Sequence, residues 1–186
     1  MIVHRDNANQ IADTLNLPCV LKQPDSSFSQ GVVKLNTLME LREEVERRLE
    51  SSDLLIAQEF MPTDFDWRVG VLEGKALYVC RYFMARRHWQ ILKRTKRGSL
   101  TSGPVETLAV ARAPREVIRL AATAASAVGD GFYGVDLKQR GSEFYLIEVN
   151  DNPSIESGYE DKILGDKLYG RIMKSLLQRV ERIKGE

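Results

Sequence analysis

Three oxygen-bearing side chains in the second half of the sequence have the types and spacing of a metal site. The stretch GFYGVDLKQRGSEFYLIEVNDNP contains two apolar runs separated by a turn at Gly141 and Ser142, which is the pattern of a β-hairpin. Side chains alternate along a strand, so Glu148 and Asn150 share one face. A short loop centred near the turn places Asp136 opposite Glu148, with about 4.5–5.5 Å between the Cβ atoms. The three side chains are therefore predicted to converge on one patch.

The chemistry of this patch suits a hard cation. Two opposed carboxylates repel each other unless a positive group lies between them. Oxygen ligands without Cys or His favour Mg²⁺ or Mn²⁺ over Zn²⁺. Because Mg²⁺ keeps several waters and binds substrate phosphates, such a site implies a phosphorylated ligand. The alternative is that the two acids form ion pairs with Lys138 or with arginines elsewhere in the sequence.

A second region of the sequence could bind phosphate. In LPCVLKQPDSSFSQGVVKL an apolar run ends at Lys22, and a polar loop over 23–31 leads to a second apolar run. Backbone amides of such a loop can cover phosphate oxygens. The segment has neither the Gly-Lys-Ser/Thr of a P-loop nor a GxGxxG helix opening, and a solvated hairpin with an extended lysine is the alternative. Further along, Glu59, Asp64 and Asp66 could accept ribose hydroxyls or serve as turn carboxylates.

The elements that must position these residues indicate an α+β fold with largely antiparallel sheets. Spacing of 3.6 residues and capping residues mark the helices, and apolar runs between turn residues mark the strands. Helices are predicted at about 7–16, 37–51, 114–129 and 161–183. Strands are predicted at 18–22, 31–35, 54–60, 67–73, 76–85, 105–110, 132–138 and 143–150. Hairpins dominate after residue 67, which favours antiparallel pairing.

Composition excludes several classes of protein. With 27 Lys and Arg against 26 Asp and Glu in 186 residues, the net charge of +1 implies no polyanionic partner. No apolar run approaches the roughly 18 residues of a membrane-spanning helix, and the first residues lack a signal-peptide core. Cys19 and Cys80 lie in apolar runs and are predicted to be small core residues in a reducing compartment. We therefore expect a cytoplasmic protein without a membrane partner.

The order of these parts resembles the ATP-grasp superfamily and, within it, the RimK-like amino-acid ligases. The pair GVD and EVN, with twelve residues between Asp136 and Glu148, carries the resemblance, and the Lys22 strand and QEF support it over residues 17–160. It implies two α/β lobes with antiparallel sheets that clamp ATP. Residues 1–60 would form the smaller lobe with the phosphate-covering loop, truncated at its start, and residues 61–186 the larger lobe with the metal site. The chain is expected to lack the upstream pre-ATP-grasp domain.

The resemblance also implies an ATP site. Lys22 looks like the family lysine on the nucleotide phosphates, and the loop 26–31 looks like the flexible phosphate cover. The backbone at 59–60 would meet adenine, Asp66 resembles the acid near the ribose, and a segment within 86–94 would supply one more contact. The candidates for that contact are Arg87, His88 and Gln90. The residues expected to bind ATP are Lys22, Ser29, Gln30, Gly31, Glu59, Phe60, Asp66, His88 and Gln90.

Asp136, Glu148 and Asn150 resemble the family's magnesium ligands, with Glu148 bridging two ions. Arg68, which follows the ribose acid, looks like a catalytic arginine that contacts a phosphate or a carboxylate, and Lys22 is the second expected catalytic cation. The implied reaction is ATP-dependent amide formation through an acyl phosphate. Glutamate ligation to a protein or peptide is the expectation that the family favours.

Two other functions stay open at this point. The chain could bind nucleotide without catalysis, or it could need an upstream domain or a partner chain for turnover. A nucleic-acid-binding module is the weaker alternative. It would use the basic segment 81–97, where Tyr82, Phe83 and Trp89 are interleaved with arginines and lysines. The near-neutral net charge and the acidic patch at Asp136 argue against that module.

Overall fold

The structure is a computed structural model that describes residues 1–24, 31–94 and 98–185. The chain forms two compact units, Met1–Pro62 and Thr63–Glu186. Ser29 and Gln30, which were predicted to cover the nucleotide phosphates, lie outside the described residues. Lys96 and Arg97 at the end of the basic segment also lie outside them.

The first unit is a small antiparallel sheet packed against a helix. Its strands run in the order β1-β4-β2-β3. The helix α2 is fixed by a capping box, in which the Thr37 side chain and the Glu40 carboxylate satisfy each other's backbone amides. Its buried face belongs to the same core cluster as the strand residues Leu21 and Ala57. The elements are β1 (Ile2–Val3), a 3₁₀ turn (Ala8–Gln10), α1 (Ile11–Thr14), β2 (Cys19–Lys22), β3 (Val33–Leu35), α2 (Leu38–Leu49) and β4 (Leu55–Glu59).

The second unit is built on a larger antiparallel sheet. Five strands run in the order β11-β10-β5-β6-β9, and a separate pair joins β7 to β8. The elements are β5 (Phe65–Leu72), β6 (Lys75–Phe83), β7 (Leu92–Arg94), β8 (Leu100–Ser102), β9 (Val105–Leu108), a 3₁₀ turn (Val110–Arg112), α3 (Arg115–Val128), β10 (Phe132–Arg140), β11 (Glu143–Asn150) and α4 (Asp166–Gly185).

Strand alternation gives the five-stranded sheet two different faces. One packs against α3, and the other combines an apolar cluster shared with α4 and the polar residues of β5 and β10. In β10, Val135 and Leu137 are fully buried on the face that packs against α3, and Asp136 between them faces the other way. The same alternation in β5 buries Trp67 and Val69 and turns Arg68 to the side of Asp136. The polar candidates of β5 and β10 therefore lie together on the face opposite α3.

The predicted fold class is confirmed, because each of the eight predicted strands is present and every strand pair is antiparallel among the described residues. Cys19 and Cys80 are buried free thiols, as predicted. The helix predicted at 7–16 is wrong in form, since only a 3₁₀ turn and four residues of α-helix are present. The last helix begins at Asp166 rather than at 161, because turns that include Gly158 at φ 86° and Gly165 at φ 54° precede it.

Candidate functional site

Three of the predicted site residues lie side by side across the polar face of the second unit's sheet. The register pairs Asp136 of β10 with Glu148 of β11 on one side and with Arg68 of β5 on the other. The predicted cross-strand position of Asp136 and Glu148 is therefore confirmed. A β-bulge between Asp136 and Leu137 shifts the hairpin register directly after this pair. We call Arg68, Asp136, Glu148 and Asn150 the charged row.

Arg68 and Asp136 form a bidentate ion pair within this row. Nε and Nη2 of Arg68 donate to Oδ1 and Oδ2 of Asp136, both at 2.7 Å. The two side chains are only 21% and 16% exposed, so solvent screens the pair weakly. Burial by itself lowers the pKa of Arg68, but the hydrogen bonds and charge of Asp136 outweigh it and raise that pKa above its ordinary value. Of the ion-pair alternatives left open by the sequence, the structure shows the pairing of Asp136 with an arginine.

Glu148 and Asn150 complete the oxygen donors of the row. Asn150 Nδ2 donates to Glu148 Oε1 at 3.0 Å and lies 3.5 Å from the Gly134 carbonyl oxygen. The Asn150 amide oxygen is the remaining hydrogen-bonding atom of this side chain and can serve as a neutral ligand. The row thus contains two carboxylates and one amide oxygen donor within neighbouring positions of a hairpin.

A close contact explains the glycine that precedes the first metal candidate. A Cβ on Gly134 would lie 2.7 Å from Cβ of Pro153, closer than such atoms approach. Gly134 pairs with Asn150 across the hairpin, so Pro153 packs onto β10 just after the chain leaves β11. The contact fixes how the segment after Asn150 leaves the sheet. The glycine of GVD and the proline of EVNDNP are therefore linked by packing.

A second ion pair lies beside the first on the same face. Lys138 Nζ donates to Asp66 Oδ1 at 2.6 Å and to Thr63 Oγ1 at 2.7 Å, and Thr63 Oγ1 donates to Asp66 Oδ1 at 2.9 Å. Burial raises the pKa of Asp66, although the Lys138 charge opposes this shift. The predicted ribose acid is therefore held in one orientation by two partners, and Lys138 pairs with Asp66 instead of Asp136.

The buried carboxylate of Glu160 contacts the row through Tyr82 and was not predicted as a site residue. Glu160 is 1% exposed, accepts a hydrogen bond from the Tyr82 hydroxyl and accepts another from the Glu156 amide at 2.9 Å. The Tyr82 ring in turn lies 5.0 Å from Cζ of Arg68, within cation–π range. The sequence placed Glu160 in a turn-rich loop and gave no sign of its burial.

In the first unit, backbone geometry and one buried arginine position the phosphate-side candidates. Lys22 is the last residue of β2 and pairs with Ile56. Gly31 has φ 79° and its carbonyl oxygen accepts from Arg48 Nη1 at 2.5 Å. Arg48 is 6% exposed and also donates to Gln23 Oε1 at 3.3 Å, so it contacts residues on both sides of the polar loop. Arg48 escaped prediction because it lies within a helix rich in charged residues.

The adenine candidates at 59–60 and the candidates within 86–94 have defined local structure. The Phe60 amide donates to the Pro18 carbonyl at 3.3 Å, and Glu59 pairs with Cys19 at the end of β4. In the turn after β6, His88 Nε2 and Gln90 Oε1 are 3.2 Å apart, and the Ala85 amide donates to the Gln90 carbonyl at 2.9 Å. Arg87 has φ 55°, a left-handed conformation that is uncommon for a residue other than glycine. Its side chain is exposed.

The donors of the charged row fit a hard divalent cation in type. Over the described ranges, no cluster of three or more His, Cys, Asp and Glu side chains could hold a metal ion. The candidate ligands Asp136, Glu148 and Asn150 do not form such a cluster, because Asn150 contributes an amide oxygen. Carboxylate and amide oxygens are suitable for Mg²⁺ or Mn²⁺, which complete their coordination with water and phosphate oxygens. Both Asp136 oxygens bind Arg68 in this structure.

Several solved structures share this fold. The match to D-alanine–D-alanine ligase from Bacillus anthracis covers 98% of this chain and 62% of the ligase chain, with a TM-score of 0.70 at 17% identity. The same ligase complexed with ATP matches with a TM-score of 0.68 at 16% identity. The ATP-grasp ligase PsnB, complexed with a precursor variant, Mg and ADP, matches 97% of this chain over 53% of its own, with a TM-score of 0.61 at 17% identity. The fold is therefore that of ATP-grasp ligases.

The family follows from the sequence itself. The model of the RimK-like ATP-grasp domain matches residues 1–176, so the chain belongs to this family. The predicted resemblance is thereby confirmed. No curated protein sequence matches the chain. The chain spans less than two-thirds of the length of the ligase structures that it matches. Among the described residues, no helix combines the length and apolar character needed to cross a bilayer.

Proposed function

We propose that this chain is the ATP-binding part of a carboxylate–amine ligase that forms an amide bond through an acyl phosphate. The observation that carries the proposal is the charged row, in which Arg68, Asp136 and Glu148 occupy adjacent strands with Asn150 beside them. Membership of the RimK-like ATP-grasp family supports it. In the proposed reaction, a substrate carboxylate attacks the γ-phosphate of ATP and ADP leaves. An amine then displaces phosphate from the acyl phosphate.

Glutamate is our proposed amino acid, and a protein or peptide is the proposed acceptor. The PsnB structures with a precursor peptide show a protein of this fold beside a peptide ligand. An upstream domain or a partner chain would complete acceptor recognition. The proposed compartment is the cytoplasm, where ATP and free amino acids are available.

In this proposal, Asp136, Glu148 and Asn150 hold one or two Mg²⁺ or Mn²⁺ ions. When bound, such ions neutralise phosphate charge in phosphoryl transfer. Arg68 and Lys22 would supply fixed positive charge to phosphate or acyl-phosphate oxygens, which stabilises the charge that spreads in the transition state. Phosphoryl transfer requires positioning and charge neutralisation. The four side chains of the charged row are already ordered by hydrogen bonds, which join Arg68 to Asp136 and Asn150 to Glu148.

The remaining candidates would bind the rest of the nucleotide. Asp66 would accept the ribose hydroxyls, since Lys138 and Thr63 already fix its carboxylate. The other proposed contacts are Ser29, Gln30 and Gly31 at the phosphates, Glu59 and Phe60 at the adenine, and His88 and Gln90 at a further position.

Trapping of the acyl phosphate tests the proposal directly. The protein would be incubated with ATP, Mg²⁺, hydroxylamine and a set of carboxylate-bearing acceptor peptides, and hydroxamate and ADP would be measured together. We expect both products in equal amounts with wild type and neither with Glu148→Gln, since Gln removes one anionic ligand. ATP hydrolysis without hydroxamate under any mixture of amino acids and peptides would contradict the ligase mechanism. ATP binding with neither product would favour a nucleotide-binding subunit that requires a partner chain.

A further inference from the structure

The charged row contains one cation already, and it occupies the atoms that a metal ion would need. Arg68 contacts both oxygens of Asp136 in a fork geometry that matches the carboxylate. Glu148 is the next residue of the row, and its Oε1 accepts from Asn150. A divalent ion held by Asp136 and Glu148 would therefore share the Asp136 carboxylate with the guanidinium.

Two cations on one weakly solvated carboxylate repel each other. The guanidinium of an arginine stays protonated in proteins, whatever its neighbours. Arg68 therefore cannot relieve the repulsion by losing a proton, and binding of a divalent ion would favour a conformation in which the guanidinium has left Asp136. An ion-pair partner of this kind lowers the apparent affinity of the ion by the free energy needed to break the pair.

An aromatic ring contacts the Arg68 guanidinium in addition to Asp136. The Tyr82 ring lies 5.0 Å from Cζ of Arg68, and its hydroxyl is bound by the buried Glu160 carboxylate. An aromatic face within this distance attracts a guanidinium. Since Glu160 also accepts from the Glu156 amide, the ring is held to a second segment of the unit. Arg68 can thus leave Asp136 and stay near the row.

We infer that Arg68 and a divalent cation compete for Asp136, so that binding of the cation frees the guanidinium for an anionic ligand. This inference rests on the proposed function for the identity of the metal ligands. It assigns Arg68 two successive partners. The arginine neutralises Asp136 first, and it becomes available to a phosphate or carboxylate group only after the ion has taken its place.

Direct binding of Mn²⁺ without nucleotide tests the competition. Free Mn²⁺ would be measured by electron paramagnetic resonance in titrations of wild type, Arg68→Lys, Arg68→Gln and the control Arg81→Gln. Lys keeps the charge but loses the fork, so competition predicts that Arg68→Lys binds Mn²⁺ about threefold more tightly and Arg68→Gln about tenfold more tightly, the range given by loss of charge-assisted hydrogen bonds. A purely long-range charge effect would leave Arg68→Lys at the wild-type value and would overturn the inference.

Arg81→Gln is a matched control because it removes the same charge from the other face of the sheet. Arg81 pairs with Glu106 at 3.2 Å, and its Cζ lies 5.5 Å from the Trp67 ring. We expect this variant to bind Mn²⁺ as wild type does. Equal tightening in Arg81→Gln and Arg68→Gln would overturn the inference, since it would show a general charge effect.

The same titrations separate this inference from the proposed function. Suppose that Mn²⁺ binds to wild type, does not bind to Glu148→Gln, and binds to both Arg68 variants with the wild-type affinity. The metal site then stands and the competition is wrong. If no variant binds Mn²⁺, the metal site and the competition fall together. Melting curves supply a second readout, because Mn²⁺ should raise the Tm of Arg68→Lys more than that of wild type at the same concentration.

Discussion

The polar face of the larger sheet carries two adjacent ion pairs of opposite polarity, and their surroundings differ. In the first pair, the arginine of β5 contacts both oxygens of Asp136 on β10. In the second pair, the acid is Asp66 of β5 and the base is Lys138 of β10, with the Thr63 hydroxyl joining both. The first pair borders another acid, Glu148, whereas the second is closed by a neutral hydroxyl. We therefore expect the Arg68–Asp136 pair to open when a cation binds and the Asp66–Lys138 pair to stay closed.

The largest expected effect comes from breaking the first pair. Arg68→Ala leaves Asp136 as an uncompensated, weakly exposed carboxylate, so we expect a loss of about 3 kcal/mol in the free energy of unfolding. Urea denaturation at pH 7 would measure it. The double variant Arg68→Gln with Asp136→Asn replaces the pair by two amides and should recover more than half of that loss. Equal stability of Arg68→Ala and wild type would show that the pair is not coupled in solution.

Breaking the second pair should cost less stability and leave metal binding intact. Lys138→Met keeps the length of the side chain and leaves Asp66 with the Thr63 hydroxyl, so we expect a loss of about 2 kcal/mol. Nucleotide affinity should fall because Asp66 is no longer fixed, while Mn²⁺ affinity should stay at the wild-type value. Calorimetric titration of both ligands checks this. A change in Mn²⁺ affinity equal to that of an Arg68 variant would remove the distinction between the two pairs.

A smaller effect should follow from filling the space between the hairpin and the segment after it. A Cβ on Gly134 would lie 2.7 Å from Cβ of Pro153, so Gly134→Ala should cost about 1–2 kcal/mol by displacing that segment. Pro153→Ala still keeps its Cβ, so Pro153→Gly is the compensating change that should recover part of this loss of stability. Gly170→Ala in α4 is the control, since no atom lies within 4 Å of its new Cβ. A loss of stability in the control as large as that in Gly134→Ala would contradict the packing explanation.

The smallest effect concerns the buried thiol of Cys80, the cross-strand partner of Arg68. Burial raises the pKa of Cys80 to about 11, and it also raises the pKa of Cys19. A thiol with a raised pKa stays protonated at pH 8, so both should react with a maleimide far more slowly in the folded protein than in urea. The raised pKa of Cys80 contributes stability below its ordinary value of 9.0 that is lost as the pH rises through about 11. Rapid labelling of folded protein at pH 8 would contradict this burial.

The hairpin was predictable because its determinants are local. The turn at Gly141 and Ser142 sets the pairing as far as Leu137, and the β-bulge that follows adds the one-residue shift that places Asp136 opposite Glu148. The contact between Arg68 and Asp136 was not predictable, because the two residues are 68 positions apart in the sequence. The packing of the whole sheet sets the order of its strands. The resemblance named Arg68 as a site residue, but it did not indicate which carboxylate it contacts.

Burial of charged groups was the other feature beyond the sequence. Arg48 and Glu160 lie in segments with many charged neighbours, which is the pattern of solvated surface, yet they are 6% and 1% exposed. Each is buried because it satisfies backbone or side-chain groups from distant segments, as with Gly31 for Arg48 and Tyr82 for Glu160. Partners of this kind depend on tertiary structure.

The central claim is that the charged row binds a metal ion that in turn binds nucleotide. The most direct measurement is a thermal-shift titration with a non-hydrolysable ATP analogue, with and without Mg²⁺, on wild type and Asp136→Asn. The account predicts a rise in Tm of wild type that requires both ligands and is lost in the variant. A rise in Tm that is independent of Mg²⁺, or one that is equal in wild type and Asp136→Asn, would contradict it.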